Sequence, residues 1–262
     1  HNYFTNQKLY MATVGLASIN YVQDRYIFYY DMIEDIAVGK TFMITGGIQQ
    51  KNNINRPYLG AQFALGKYTR RGYFGGEVQW GSYINEKRFE EGVFRVEGLY
   101  FSKLYHWGRW GFRHFFNPEI VIGLNRWDYA MDKITLNGAY GIDGFDSYEL
   151  RGTKKVLLNL QLQSYAPYEW LGFRFSPFFS TSIGFMGDND NTFVTKDMYS
   201  KIGLGVVISN DYLVFNNFQF SLAFYPNIPG NGHNIFKTNN LRNTNFNLQQ
   251  FDYGKPELVP YN

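Results

Sequence analysis

The chain has 262 residues, and its 25 Lys+Arg against 22 Asp+Glu leave a net charge of +3, too thinly spread to make a nucleic-acid surface. It is 45% hydrophobic and 18% charged, which excludes intrinsic disorder, and it has no Cys, which excludes a disulfide framework and thiolate metal sites. Aromatic residues reach 20% beside 27 Gly, yet the mean hydropathy is −0.34, more rings than a soluble core of that polarity needs. No run approaches the ~18 apolar residues of a spanning helix. A membrane β-barrel stays open, because each of its strands shows the bilayer only every second residue. The chain begins His1-Asn2-Tyr3 without Met or an apolar leader and reads as a processed chain or a fragment.

Period-two alternation predicts twelve strands, at 9–22, 26–36, 40–49, 57–67, 72–83, 91–104, 109–125, 152–165, 171–186, 198–208, 213–225 and 245–253. Phe74, Val78 and Trp80 oppose Glu77 and Gln79; Phe94, Val96 and Tyr100 oppose Arg95 and Glu97. Val156, Leu158, Leu160 and Leu162 alternate with Asn159, Gln161 and Gln163. Phe173, Phe175, Phe179, Ile183 and Phe185 share one parity, with Arg174, Ser176, Ser180 and Ser182 on the other. Phe218, Phe220, Leu222 and Phe224 alternate with Asn217, Gln219 and Ser221. Most of these segments exceed the usual soluble strand of about five or six residues and match the about nine to eleven tilted residues that cross a hydrocarbon core.

The connections add a second argument. Asp128–Arg151, Gly187–Asp197 and Pro226–Thr244 read as long loops; Tyr105–Gly108, Ala166–Trp170 and Ser209–Tyr212 read as short ones. Long and short alternate, as surface loops and periplasmic turns do in outer-membrane barrels. The fold expected is therefore all-β, an antiparallel transmembrane β-barrel in a single domain over 1–262. Both chain ends fall on the periplasmic side. Aromatic residues near strand ends, such as Tyr29-Tyr30, Tyr105-His106-Trp107 and Tyr168-Glu169-Trp170, suit interfacial girdles. Aromatic residues are also good strand formers, which explains them without a membrane. The lumenal parity carries Glu77, Arg95, Glu97, Arg113, Glu119, Gln161 and Gln163. Such mixed charges pair across strands and suit any wet interior.

Enzymatic chemistry finds no motif. The four His, at 1, 106, 114 and 233, lack metal-site spacing. Asp188-Asn189-Asp190-Asn191 resembles half a calcium loop without its Gly and closing Glu. No Gly-x-Ser-x-Gly elbow or phosphate-cradling loop is present. No cofactor, metal or catalytic residue is assigned.

One stretch points further. Gly141-Ile142-Asp143-Gly144-Phe145, then Leu150-Arg151-Gly152-Thr153-Lys154-Lys155, then the strand from Val156 and Ile183-Gly184 resemble the C-terminal barrel region of the bacterial surface antigen superfamily. That superfamily holds the outer-membrane β-barrel assembly factors and the two-partner secretion translocases. The resemblance implies an outer-membrane protein whose loop 128–151 folds into the lumen on a hydrophobic-Arg-Gly-aromatic tetrapeptide, ahead of the last five strands of about sixteen. With about twelve visible here, the chain is either the C-terminal part of such a barrel or a complete reduced barrel of twelve strands, itself an acceptable even number. Ile142, Asp143, Gly144 and Phe145 occupy the tetrapeptide. Asp143 stands where the family has Arg, and Ser182 where the family has the facing Asp, so both halves of the family's ion pair are missing together. Arg151 and Arg174 are the cations expected near Asp143. The implied partners are outer-membrane lipid and unfolded outer-membrane protein clients or other envelope subunits. A passive channel, or a structural barrel within a larger envelope complex, are the alternatives.

Overall fold

The computed structural model describes residues 6–27, 32–51, 54–86, 88–127, 130–188, 197–210, 217–239, 241, 251 and 254–262. They form one antiparallel sheet of β1 (Gln7–Arg25), β2 (Ile33–Lys51), β3 (Ile54–Thr69), β4 (Gly72–Asn85), β5 (Arg88–Ser102), β6 (Tyr105–Trp107), β7 (Trp110–Leu124), β8 (Lys154–Tyr165), β9 (Arg174–Gly187), β10 (Tyr199–Ser209), β11 (Asn217–Ile228) and β12 (Gly232–Thr238). Strands pair in chain order. The exception is β6, a three-residue arm that folds onto β7, so that β5 pairs with β7 directly. No helix among the described residues is long and apolar enough to cross a membrane.

The register carries one parity across the whole sheet. Gln62 faces Gln79, Gln79 faces Arg95, and Arg95 faces Val121, so every residue in that row projects to the same side. One face is of mixed character and the other largely apolar. The concave face buries Thr41, Gln49, Arg113, Asn117, Glu119, Lys155, Gln161, Gln163, Ser180, Ser182 and Lys201. The convex face leaves Phe63, Leu65, Phe74, Leu160, Leu204, Phe220, Leu222 and Phe236 exposed. Contacts across the concave side show the curl. The Arg113 guanidinium on β7 reaches the Asp24 carboxylate of β1 at 3.1 Å, and the Tyr165 hydroxyl on β8 donates to the Tyr26 carbonyl at 2.5 Å. Ile27 and Ile36 pack there with Tyr73, Leu99, Phe101 and Phe115. Among the described residues β1 and β12 form no ladder with each other.

Connections fall at two rims. Of the described residues, 125–127, 130–153, 188, 197–198 and 229–231 lie at one, the loop rim; 70–71, 103–109 and 166–173 lie at the other, the turn rim. Three expectations are corrected. The segments 26–36 and 40–49 are not two strands: β2 runs unbroken from Ile33 to Lys51 and pairs along its whole length with β1. Pro226–Thr244 is not a long loop. Pro229-Gly230-Asn231 turns tightly, with Gly230 at φ 83° and the Asn231 N–H on the Ile228 carbonyl at 3.0 Å, and β12 follows at once. The strand expected at 245–253 lies outside the described residues apart from Phe251, which belongs to no strand. Finally, β1 starts at the loop rim, where Gln7 faces Lys51, and Tyr261 bonds Thr153 at that same rim, so neither described end of the chain lies at the turn rim.

Candidate functional site

The connection between β7 and β8 is knitted internally before it touches the sheet. Ile134 and Gly152 exchange backbone hydrogen bonds at 2.8 and 3.1 Å and close its base. The Asn137 amide then holds both backbone groups of Ser147, donating at 2.9 Å and accepting at 2.9 Å. Inside that clasp the Ile142 N–H donates to Leu136 at 2.9 Å and the Phe145 N–H to Ile142 at 2.9 Å. Gly144 sits at φ 71°, a left-handed conformation that glycine adopts without a Cβ clash. The result is a compact loop of the kind that packs on its own side chains.

Four of those side chains point into the curl. Ile134, Leu136, Ile142 and Phe145 are at most 4% exposed and form one core with Leu157, Phe178, Met186, Tyr199, Tyr225 and Leu241. Phe145 meets Tyr199 edge-on with ring centres 5.9 Å apart. Gly184 leaves the space the loop needs, because a methyl there would lie 2.9 Å from Leu136 Cδ1 and 3.2 Å from Ile142 Cδ1. The loop thus joins inward-facing strand residues in the main apolar core of a face that also buries many polar groups.

Polar contacts fix the tip. The Tyr225 hydroxyl donates to the Asp143 carbonyl at 2.5 Å, and the Lys237 ammonium donates to the Gly144 carbonyl at 2.8 Å. The Lys155 ammonium donates to the Tyr140 carbonyl, and the Ser147 hydroxyl to the Pro229 carbonyl at 2.7 Å. The Asp143 carboxylate faces Lys201 Nζ at 3.6 Å, with the lysine side chain only 2% exposed. Lys201 lies opposite Ser182 in the β9–β10 register.

Of the residues singled out in the sequence, Ile142, Asp143, Gly144 and Phe145 come together at this site. The expected partners do not. Arg151 donates to the Ala130 carbonyl at 3.0 Å on the loop's outer side. Arg174 begins β9 at the turn rim, 3.5 Å from Glu169. Ser182 donates to Asn159 at 2.7 Å. Lys201 takes their place, and Lys155, Lys237 and Tyr225 were missed with it. Each projects from a strand on the concave parity, the one signal the sequence offered. The chain matches no protein-family model, and neither a curated protein nor a solved structure matches it.

Below the loop runs the mixed-charge row. Glu77, Glu97 and Glu119 stand in register on β4, β5 and β7. Arg95 reaches Glu97 at 2.9 Å and Glu119 at 3.1 Å, and Lys155 reaches Glu119 at 3.5 Å. Gln79 donates to Glu77 at 2.5 Å. Gln161 and Gln163 bond each other beside Phe178 at 3.4 Å. Arg113 is wholly buried, and besides Asp24 it donates to the carbonyls of Ser102 and Arg25, each at 2.6 Å. These groups hold one another and tie neighbouring strands together. Among the described residues no three His, Cys, Asp or Glu side chains are grouped as metal ligands would be.

Proposed function

We propose that this chain is an outer-membrane β-barrel of the surface antigen type, acting in the assembly or translocation of outer-membrane proteins. The observation that carries the reading is the loop 125–153, folded onto the concave face ahead of five strands, with Ile142-Asp143-Gly144-Phe145 at its buried tip. The membrane part of the proposal rests on the convex face. Each of these Leu and Phe side chains is about half exposed and so forgoes part of the about 1.5–3 kcal/mol that full burial gives, and a continuous belt of them suits an apolar surrounding. The missing family ion pair has a counterpart of opposite polarity: Asp143 on the loop and Lys201 on the strand next to Ser182. A docked loop therefore needs no Arg at position 143.

The passive-channel alternative is less well supported, because the loop's apolar core occupies the concave side. A structural barrel inside a larger envelope complex would use the same docked loop and differs in having no clients. Depletion of the protein in its own host separates the two. Assembly or translocation predicts that folded outer-membrane proteins fall while their unfolded forms accumulate in the periplasm, and that a chain lacking residues 135–148 does not restore them. Unchanged levels of folded outer-membrane proteins after depletion would refute the assembly reading.

A further inference from the structure

The concave face carries a second built feature, which starts away from the loop and ends against its base. Phe251 is 1% exposed, and the Thr41 hydroxyl donates to its carbonyl at 3.1 Å. A methyl on Gly66 would sit 2.5 Å from Phe251 Cζ. Further along, the Val259 N–H donates to the Tyr58 hydroxyl at 3.0 Å, and a methyl on Gly81 would lie 3.0 Å from Val259 Cγ2. Tyr261 then donates to the Thr153 carbonyl at 3.2 Å, its ring lies 3.9 Å under the Arg126 guanidinium, and a methyl on Gly123 would meet its hydroxyl at 2.6 Å. Burial pushes that hydroxyl up to about 12, so it stays a donor.

Three side chains thus lie against glycines on three different strands, β3, β4 and β7; Phe251 is buried, while Val259 shares the space over Gly81 with the Tyr58 ring and Tyr261 shares that over Gly123 with Arg126. Gly66 and Gly60, the register partner of Gly81, are six residues apart on β3, about 20 Å of strand. The eight-residue interval from Phe251 to Val259 can span up to about 28 Å, enough to follow that line from the turn-rim half of the sheet to the loop rim. The segment is not a strand: Pro256 and Pro260 lack the N–H a ladder requires, and between the anchors residues 254–257 remain exposed. Held by side chains at intervals rather than by a ladder, this is how a groove binds a peptide.

We propose that the concave face of β2–β7 is a binding groove for an extended polypeptide segment with spaced aromatic and aliphatic anchors, and that Phe251 with residues 254–261 is its internal, displaceable occupant. The proposal is independent of whether the barrel assembles proteins. A tethered occupant acts at an effective concentration of about a millimolar, so a free peptide competes with it poorly.

The test uses protein refolded in detergent and a fluorescent peptide covering residues 250–262. A chain ending at Gln249 should bind the peptide saturably, and at least about tenfold more tightly than the full chain does. Peptides with Phe251→Ala or Tyr261→Ala should lose most of that binding, and Gly66→Val in the truncated chain should block the Phe251 slot. Equal binding by the full and truncated chains, with the truncated chain still shifting on heating in electrophoresis as a folded barrel does, would overturn the proposal. If the truncated chain does not fold, the full chain decides. Gly81→Cys with Val259→Cys, in a chain that also carries Tyr58→Ala so that the new Cβ does not strike the Tyr58 hydroxyl, should form an intrachain disulfide. Gly46→Cys with Val259→Cys should not, since Gly46 has no neighbour within 4 Å of where a Cβ would stand. No Gly81–Val259 crosslink under oxidation would refute the placement.

Discussion

Asp143 stands where the proposed family would carry Arg, and its contact with Lys201 gives that difference a physical sense. A loop carboxylate opposite a strand ammonium does with reversed charge what a loop guanidinium opposite a strand carboxylate does, although Lys201 is a point charge without a planar fork. From sequence alone, neutralising Asp143 would look harmless. With Lys201 buried against it, Asp143→Asn should cost about 1–3 kcal/mol, because a charged group then loses its partner inside the protein. Asp143→Arg should be worse, and Asp143→Asn with Lys201→Met should recover most of the loss, since removing both charges avoids the desolvation penalty. The midpoint of the heat-induced electrophoretic shift measures all three; an unchanged midpoint for Asp143→Asn would exclude the pair as an anchor. Gly184 gives a second expectation at this scale. Gly184→Val drives into Leu136 and Ile142 and should expose the loop to protease, whereas Gly184→Ala meets only the mobile ends of those side chains and should be milder. The tetrapeptide could be read in the sequence because four consecutive residues carried it. Lys201 could not, because it lies 58 positions from Asp143 in the numbering and is joined to it only through the β9–β10 register and the fold-back of the loop.

Strands of 11 to 19 residues leave long alternating tracts, and so most of the sheet could be read before its geometry was known. The errors arose where alternation was interrupted for a local reason. Gly39, Gly46 and Gly47 break the apolar rhythm of β2 without ending it, because Met11, Ala12 and Ile19 continue the ladder opposite. Pro229-Gly230-Asn231-Gly232 is turn chemistry of the tight hairpin kind, but the Asn-rich sequence after it hid a short strand whose outward position is Phe236. The orientation of a single strand can be tested at adjacent positions. Phe63 on β3 points outward and Gln62 inward. Phe63→Arg near mid-strand should cost about 2–4 kcal/mol in a lipid-embedded barrel, while Gln62→Arg should cost much less. Unfolding titrations in lipid vesicles would show it, and equal losses at the two sites would contradict a lipid-facing convex surface.

At the scale of the molecule, the two rims make a topological prediction. Tyr148 is exposed on the long connection and Trp170 is exposed at the opposite rim. Since the native chain has no Cys, Tyr148→Cys should react with an impermeant maleimide on intact cells, whereas Trp170→Cys should react only after the outer membrane is opened. The reverse pattern would invert the barrel. Strand direction adds a constraint on how the sheet's edges are satisfied. Among the described residues, with β6 off the pairing path, eleven strands run antiparallel in sequence, and so β1 and β12 point the same way, both from the loop rim to the turn rim. Brought edge to edge they could form only a parallel ladder, with its slanted bonds and slightly weaker pairing. An all-antiparallel circumference requires an odd number of strands inserted between them, whichever chain supplies them. A single guest strand would satisfy it only if it ran from the turn rim to the loop rim, opposite to both neighbours.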